Sequence, residues 1–346
     1  MVHPQDAALA PPPRRGAAVA PSPAGAGDDP VVSVCIANWN CRDLLRRCLE
    51  SLHRHPQGAR FETIVVDNGS TDGAADMVAR EFPEAVLVRN PRNAGFSRAN
   101  NQAAARARGR FLFFLNNDTV VPPGTLGEFV AFAEANPGVG MVGPRLRGPD
   151  GQYQVSYRRR PTVSALLHRV SLLRWTGLFR RAYYDYRRDT FTPDGVRPVE
   201  VLMGAAVFLP RDAFDASGRW DERYRFGGED LDLSTQVGRH RPVIYVGSVE
   251  VVHVGRVASR ANVGFAAPNV AIGYVHYFRK AGAGRLLLWV YKALVTVDAP
   301  VQFVGKTAQG VLRYARGDRD RARKSWQAAA GLWHFARAEL VRFWRA

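Results

Sequence analysis

Two apolar runs in this 346-residue chain end in acids. Asp67 follows Phe61-Glu-Thr-Ile-Val-Val66, and Asp118 follows Phe111-Leu-Phe-Phe-Leu115 by way of Asn116 and Asn117. In open α/β sheets, ligands bind beyond the carboxyl ends of the strands. A carboxylate placed there accepts hydrogen bonds from a base or ribose, or coordinates a hard divalent cation through oxygen. Asp and Asn also build turns and cap helices, so either acid alone fits that simpler role as well. A third acidic group, Glu229-Asp230-Leu-Asp232, follows Gly227 and Gly228. Glycines let backbone approach a ligand, and acids beside them are candidates for metal binding or proton abstraction. A capped helix start is the alternative. His253 lies in the apolar run Val251-Val-His-Val254, where a core histidine is the ordinary reading.

Other patterns carry less. Gly138-Val-Gly-Met-Val-Gly143 has the letters of a dinucleotide fingerprint, but Pro144 follows and no helix opens there. Gln236-x-x-Arg239 resembles a polysaccharide-synthase motif without its Trp and is read as coincidence. Asn68-Gly-Ser70 and Asn117-Asp-Thr119 are glycosylation sequons without meaning in a cytosolic chain. Cys35, Cys41 and Cys48 lack paired metal or redox spacing, and Cys41 and Cys48 are expected on one helix face.

The elements that must position these residues alternate. Val31–Ala37 reads as a buried strand. Leu44, Leu45, Cys48, Leu49 and Leu52 recur at helical spacing. Strands follow at Phe61–Val66, Ala85–Arg89 and Arg110–Leu115. Between them stand a helix capped by Ser70 or Thr71 and another over about Ser97–Arg108. Such βαβ units predict an α/β fold with a mostly parallel sheet flanked by helices. Beyond a helix at 124–135, Val199–Leu209 reads as one strand containing Gly204. Val243–Val246 and Val251–Val254 read as two more, and the chain is helical from about 266.

Residues 31–265 are thus one expected α/β domain, with an irregular insertion at 150–195, and the resemblance set out below makes that domain catalytic and that insertion acceptor-side. Residues 1–30 are Pro/Ala-rich and expected disordered, while 266–346 form a helical, basic extension. Composition is globular, with 46% hydrophobic and 23% charged residues. Lys and Arg number 48 against 31 acids, for a net +17, which favours polyanionic partners: nucleic acid, anionic lipid or phosphorylated substrates.

Taken in order, the motifs resemble glycosyltransferase family 2 and its GT-A nucleotide-diphospho-sugar transferase fold, most closely the bacterial rhamnosyltransferase-like subgroup. The matching blocks are Val31–Asn40, Val65-Val-Asp-Asn-Gly-Ser-Thr-Asp72, Arg89–Asn100, Phe114-Leu-Asn-Asn-Asp-Thr119, Gly204–Arg211, Gly228-Glu-Asp-Leu-Asp-Leu233 and His253. The resemblance implies a metal-dependent, inverting sugar transfer from a nucleotide-diphosphate donor, dTDP-rhamnose by analogy, to a lipid-linked or cell-envelope glycan. It places Ala37, Trp39, Asn40, Asp67 and Asn68 at the nucleotide, with Asp67 reading the pyrimidine. Asn93, Gly95, Phe96, Asn100, Asn116 and Asn117 lie along the donor. Asp118, with His253, is implied to hold Mg²⁺ or Mn²⁺; Asn116 replaces the metal motif's first acid. Asp230 is implied as catalytic base with Glu229 its partner, and Gly204 and Asp232 lie on the acceptor side.

Two rival readings make different demands. Nucleic-acid binding requires basic residues interleaved with aromatics on the ordered domain; here they cluster at Arg158–Arg188 and beyond 285, so no nucleic-acid partner is expected. A nucleotidyltransferase requires a Gly-rich phosphate loop after the first strand, which Asn38-Trp-Asn-Cys-Arg-Asp43 is not. No uncharged apolar run of ~18 residues occurs, so no conventional membrane-spanning helix is expected. No signal-peptide core precedes residue 31. Trp326, Trp333, Leu340 and Trp344 fall near one helical face among arginines, which suits an interfacial helix on anionic lipid. The chain is therefore expected to be cytoplasmic, peripheral at the inner face of the cell membrane.

Overall fold

The computed structural model describes residues 29–187, 191–255 and 263–346, with side chains excepted at 263–267. Most of the expected tail over 1–30 therefore lies outside the described residues, as do 188–190 of the expected insertion and 256–262 near the C-terminal edge of the expected catalytic domain. Contacts divide the chain into two units. One comprises the chain up to Arg158 with Thr190–Glu222 and Glu229–Gly255; the other comprises Arg159–Asp189, Arg223–Gly228 and Arg256–Ala346.

The first unit is a mixed sheet with helices. Its leading half alternates β1 (Val32–Asn38), α1 (Arg42–His53), β2 (Phe61–Asp67), α2 (Ala74–Glu81), β3 (Val86–Arg89), α3 (Phe96–Ala104) and β4 (Phe111–Asn116). These strands pair in parallel in the order β3-β2-β1-β4. After β2 and β3 extend the sheet on one side of β1, β4 returns on the other. That reversal is a topological switch point, and it opens a crevice at the strands' carboxyl ends.

The chain continues through β5 (Thr119–Val120), α4 (Thr125–Ala135), β6 (Met141–Arg147), β7 (Tyr153–Gln154) and β8 (Tyr157–Arg158). It then adds β9 (Val196–Pro198), β10 (Val201–Leu202), β11 (Ala206–Pro210) and β12 (Val243–His253). The order runs on as β4-β11-β6-β12-β5, with β11 antiparallel to β4 and β6, and β12 parallel to β6. Apolar residues pack in two layers. Val34, Leu49, Phe113, Phe129 and Phe208 belong to one; Cys35, Ile64, Phe114, Trp220 and Tyr245 belong to the other. Odd and even residues of one strand separate in this way because a sheet's side-chain period is two.

Local departures have identifiable causes. The expected strand Val199–Leu209 breaks around Gly204, because β10 leaves the main sheet to pair with β8. Conversely, Val243–Val246 and Val251–His253 form one strand, whose register against β6 slips between Val246 and Glu250. Neither Ser70 nor Thr71 caps α2: it starts at Ala74, whose amide donates to Asp72 Oδ1 at 3.1 Å. Cys41 and Cys48 do not share a helix face, since Cys41 precedes α1 and only Cys48 is buried within it.

In the second unit, short helices Val163–Leu167, Ser171–Thr176 and Arg180–Arg187 accompany long ones at Val263–Lys280, Arg285–Ala315 and Arg319–His334. A π-helical turn at Phe335–Glu339 leads into Leu340–Arg345. Contrary to the expectation, Arg285–Ala315 is long and apolar enough by length and composition to cross a membrane, with 28% of that window buried. Lys292 and Asp298 break the apolar run in sequence, but both are buried and bonded. Lys292 Nζ donates to the Trp344 carbonyl at 3.0 Å, and Asp298 Oδ1 accepts the Ser171 amide at 2.9 Å. Trp326, Trp333 and Trp344 rest against aromatic partners on the same helix, Tyr314, Phe303 and Trp289.

Candidate active site at the carboxyl edge of the sheet

The first unit places three groups of polar side chains along one sheet edge. At the ends of β1 and β2, Asn38 and Asp67 are both buried, and Asn38 Nδ2 donates to Asp67 Oδ1 at 3.1 Å. The other Asp67 oxygen accepts the Ser70 amide at 3.0 Å. Ser70 Oγ in turn accepts from the Asn40 amide at 2.9 Å, so the two post-strand turns brace each other. Asn40 takes a left-handed φ of 49°, which an asparagine tolerates better than most residues. Gly69 must be glycine: its φ is +74°, and a Cβ would stand 2.7 Å from Arg92 Cα.

This network continues to β4. Asn117 Nδ2 donates to Asn38 Oδ1 at 2.7 Å, tying the Asn116-Asn117-Asp118 turn to the Asn38–Asp67 cluster. Asp118 is buried, and its main-chain carbonyl accepts the Val254 amide at 2.9 Å. The antiparallel pairing of β5 with β12 sets His253 opposite Thr119. His253 Nε2 therefore stands 3.4 Å from Asp118 Oδ1, while the Gly255 amide donates to Asp118 Oδ2 at 3.2 Å. Gln154 fixes the imidazole. Its amide nitrogen donates to the His253 carbonyl at 2.8 Å, which leaves Oε1 facing His253 Nδ1 at 2.9 Å. An oxygen there accepts a hydrogen bond from Nδ1–H, and in the neutral ring that tautomer leaves the Nε2 lone pair on the side of Asp118.

The third group forms where β11 begins. The Asn116 amide donates to the Ala205 carbonyl at 2.9 Å, which brings Gly204 next to the end of β4. A Cβ on Gly204 would meet Asp230 Cβ at 3.2 Å. Asp230 opens the helix Glu229–Val237 and is bridged by one nitrogen of Arg158, at 2.9 and 3.0 Å from its two oxygens.

Not every expected residue faces this edge. Asp232 is buried and accepts from Gln236 at 3.3 Å, and Gln236 accepts from Arg239 at 2.9 Å. The Gln-x-x-Arg pair thus serves a ladder along its own helix. Glu229 is half-buried at that helix's first turn. Asn93 is exposed and bonds the Gly95 amide, while Asn100 donates to the Phe96 carbonyl one turn back. Phe96 packs edge-on against Trp220, and Asn68 ties the block to β2 by donating to the Gly95 carbonyl at 3.2 Å. Ala37 and Trp39 are half-buried at the end of β1. Arg158, Gln154, Asn38 and Ser70 are the participants missed in sequence. Asn38 and Ser70 had a usable signal, their place at a strand's end, whereas Arg158 and Gln154 lie in a stretch without periodicity.

Among the described residues, no three or more His, Cys, Asp or Glu side chains converge as a metal cluster. The Asp118–His253 pair still fits a divalent cation. A carboxylate oxygen and an imidazole nitrogen 3.4 Å apart suit two positions on one ion, whose others would go to substrate phosphates.

Residues 33–199 match the family model for glycosyl transferase family 2. The chain is 30% identical over 204 residues to an N-acetylglucosaminyl-diphospho-decaprenol L-rhamnosyltransferase of Mycobacterium tuberculosis, covering 55% of this chain and 65% of that protein. It is 29% identical over 244 residues to the O-antigen biosynthesis protein RfbC of Myxococcus xanthus, covering 67% of this chain and 18% of that one. It thus spans less than two thirds of either relative. Among solved structures, GalNAc-T7 with UDP, GalNAc and Mn²⁺ aligns with a TM-score of 0.52 at 15% identity, over 71% of this chain and 48% of that one. The mannosyltransferase PcManGT from Pyrobaculum calidifontis, with GDP-Man and Mn²⁺, aligns with a TM-score of 0.51 at 19% identity, over 97% and 90%. The fold is GT-A.

Proposed function

We propose that this chain, whose residues 33–199 are a glycosyltransferase family 2 domain, transfers a sugar with inversion from a nucleotide-diphosphate donor to a hydroxyl of a lipid-linked or cell-envelope glycan. One observation carries the reading. The Asn38–Asp67 pair, the Asp118–His253 pair and Asp230 lie along one edge of the sheet, tied through Asn117 and the Asn116–Ala205 hydrogen bond.

In this reading Asp67 and the Ala37–Asn40 turn hold the nucleotide, and the block from Asn93 to Asn100 supports the donor side. Asp118 and His253 would hold Mg²⁺ or Mn²⁺, which when bound supplies positive charge to the leaving diphosphate. Asp230 takes the acceptor hydroxyl's proton as that oxygen bonds to the anomeric carbon and the bond to the diphosphate breaks. A single displacement inverts the configuration without a covalent enzyme intermediate. Arg158 fixes the rotation of the Asp230 carboxylate for that transfer. The rhamnosyltransferase relative supports a rhamnose donor, and the subgroup resemblance suggests dTDP as its carrier.

Peripheral attachment to the cytoplasmic membrane face belongs to the same proposal. Leu286, Trp289, Val297, Val301 and Val304 are all exposed at helical spacing on Arg285–Ala315, an apolar stripe suited to a lipid interface. The test is a panel of nucleotide sugars with and without Mn²⁺, read by thermal shift and then by the anomeric configuration of the product. One donor should stabilise the protein in a Mn²⁺-dependent way and give an inverted linkage. A retained configuration, or no stabilisation by any nucleotide sugar, overturns the reading.

A further inference from the structure

The second unit contains an open cavity of about 1080 Å³ that the transfer chemistry does not use. The chain builds it with a tight turn. Gly177 (φ +76°) and Phe179 (φ 61°) separate the helices Ser171–Thr176 and Arg180–Arg187, and the Leu178 carbonyl lies 2.8 Å from His168 Nδ1. Arg169, Arg174 and Arg180 consequently line the same space as Lys306 on Arg285–Ala315, and no acidic side chain lines it. Among the described residues, none of these four cations has a carboxylate within 4 Å. Arg180 lies over the Tyr184 ring at 5.4 Å, and Lys306 Nζ donates to the Gln309 amide oxygen at 3.4 Å. Four cations without counter-charges around one cavity favour a multiply charged anion.

A second cavity, of about 220 Å³, shares Arg169 and Gln302 with the first. Its lining is chiefly apolar, including Leu166, Val170, Val295, Leu332 and Phe335. An apolar cavity of ~150 Å³ is enough to hold benzene, so this one has room for an isoprene-sized unit. Its one carboxylate, Asp298, is bonded by the Ser171 amide and the Gln302 side chain. Val301, which borders the cationic cavity, also belongs to the exposed apolar stripe.

We propose that these two neighbouring cavities bind the phosphate-bearing head of a membrane amphiphile, with its first prenyl or acyl carbons in the apolar pocket. The inference rests on the transferase reading for its purpose, since the amphiphile would be the lipid end of the acceptor.

The test uses the full chain and phosphatidylcholine vesicles doped with a polyprenyl diphosphate. The comparison is with vesicles doped with phosphatidylglycerol to the same surface charge. The wild type should bind the diphosphate vesicles at least about tenfold more tightly, and the double variant R174A/R180A should lose about 10- to 30-fold of that binding, the scale for two cations at an anionic surface. Both arginines are exposed, so folding should survive. Lys306→Gln provides a second, milder variant that should show a smaller loss in the same direction. Equal binding to the two vesicle types, or a double variant that keeps its preference, overturns the proposal. So does free inorganic diphosphate binding as tightly as the lipid, which would mean a simple phosphate site. RNA retention without vesicle discrimination overturns it as well. Thermal shift with nucleotide sugars on the same double variant separates the two readings: unchanged donor binding beside lost lipid discrimination indicts the cavity alone, whereas absent donor binding in the wild type indicts the transferase.

Discussion

Arg158 Nη2 bridges both carboxylate oxygens of Asp230, at 2.9 and 3.0 Å, and the two side chains are only 25% and 12% exposed. A charged bridge of this kind fixes the rotation of the carboxylate as well as attracting it. It also makes Asp230 hard to replace without consequence, because a buried partner left unbonded costs about 1–3 kcal/mol.

Asp230→Asn should therefore cut turnover by about 10²-fold or more, the scale for loss of a general base, with donor affinity nearly unchanged. Arg158→Ala should lower kcat with a smaller effect on donor KM, and Arg158→Lys should recover part of the loss. Steady-state kinetics with a fixed acceptor check this. Wild-type turnover in Asp230→Asn would remove Asp230 from the mechanism.

Gly204 lies against the same acid. A Cβ there would meet Asp230 Cβ at 3.2 Å, tighter than ordinary van der Waals contact. Gly204→Ala should displace Asp230 and reduce kcat while leaving nucleotide binding in place. Comparison of kcat with the Kd of the nucleoside diphosphate distinguishes this from general unfolding.

Gln154 orients His253 through both ends of its amide. Gln154→Leu should weaken Mn²⁺ binding, measured calorimetrically with nucleoside diphosphate present, by about 10- to 100-fold, the usual effect of removing a partner that holds a metal-ligating histidine. Asp118→Ala should abolish that binding. An unchanged Mn²⁺ affinity in both variants would place the cation elsewhere.

Acid sensitivity should trace in part to Glu62. Burial pushes its pKa up, but hydrogen bonds from Ser33 Oγ and the Arg108 amide and guanidinium outweigh it and hold the carboxyl below its ordinary value of 4.5. A carboxyl with a lowered folded pKa stabilises the protein fully above the unfolded value, and the contribution is lost as pH falls through the folded one. Glu62→Gln should thus lower Tm at neutral pH and flatten the acid limb of the Tm–pH curve. Parallel curves for the two proteins would refute this role.

The thiols offer a simpler check. Burial pushes Cys48 up to about 12, and Cys35, also enclosed, is raised further. Partial burial and the nearby Asp118 carboxylate raise Cys41 as well, but it alone is partly exposed. Only Cys41 should therefore react, slowly, with iodoacetamide in the native state at neutral pH, and all three should react after unfolding. Peptide mass analysis before and after denaturation reads the difference.

Much of the first unit was legible because its cues are local. Alternating apolar runs and helical spacing located β1 through β4, and the acids at their ends marked the carboxyl edge before any coordinates. Val199–Leu209 misled because strand propensity does not register that Gly204 lets the chain leave one sheet for another. Ser70 was mistaken for a helix cap, since its better partners, Asn38 and Asn40, lie about 30 residues away and are brought near only by β1–β2 pairing.

The sequence by itself determined the α/β class, the family resemblance and the acids at the strand ends, because strand length, periodicity and turn chemistry act over a few residues. Tertiary structure alone decided that Arg158 grips Asp230, that Gln154 holds the His253 ring, and that Arg174, Arg180 and Lys306 share one cavity. Each of these joins residues dozens to more than a hundred positions apart, and the energy of a charged or hydrogen-bonded contact depends on distance in space, which spacing along the chain does not encode.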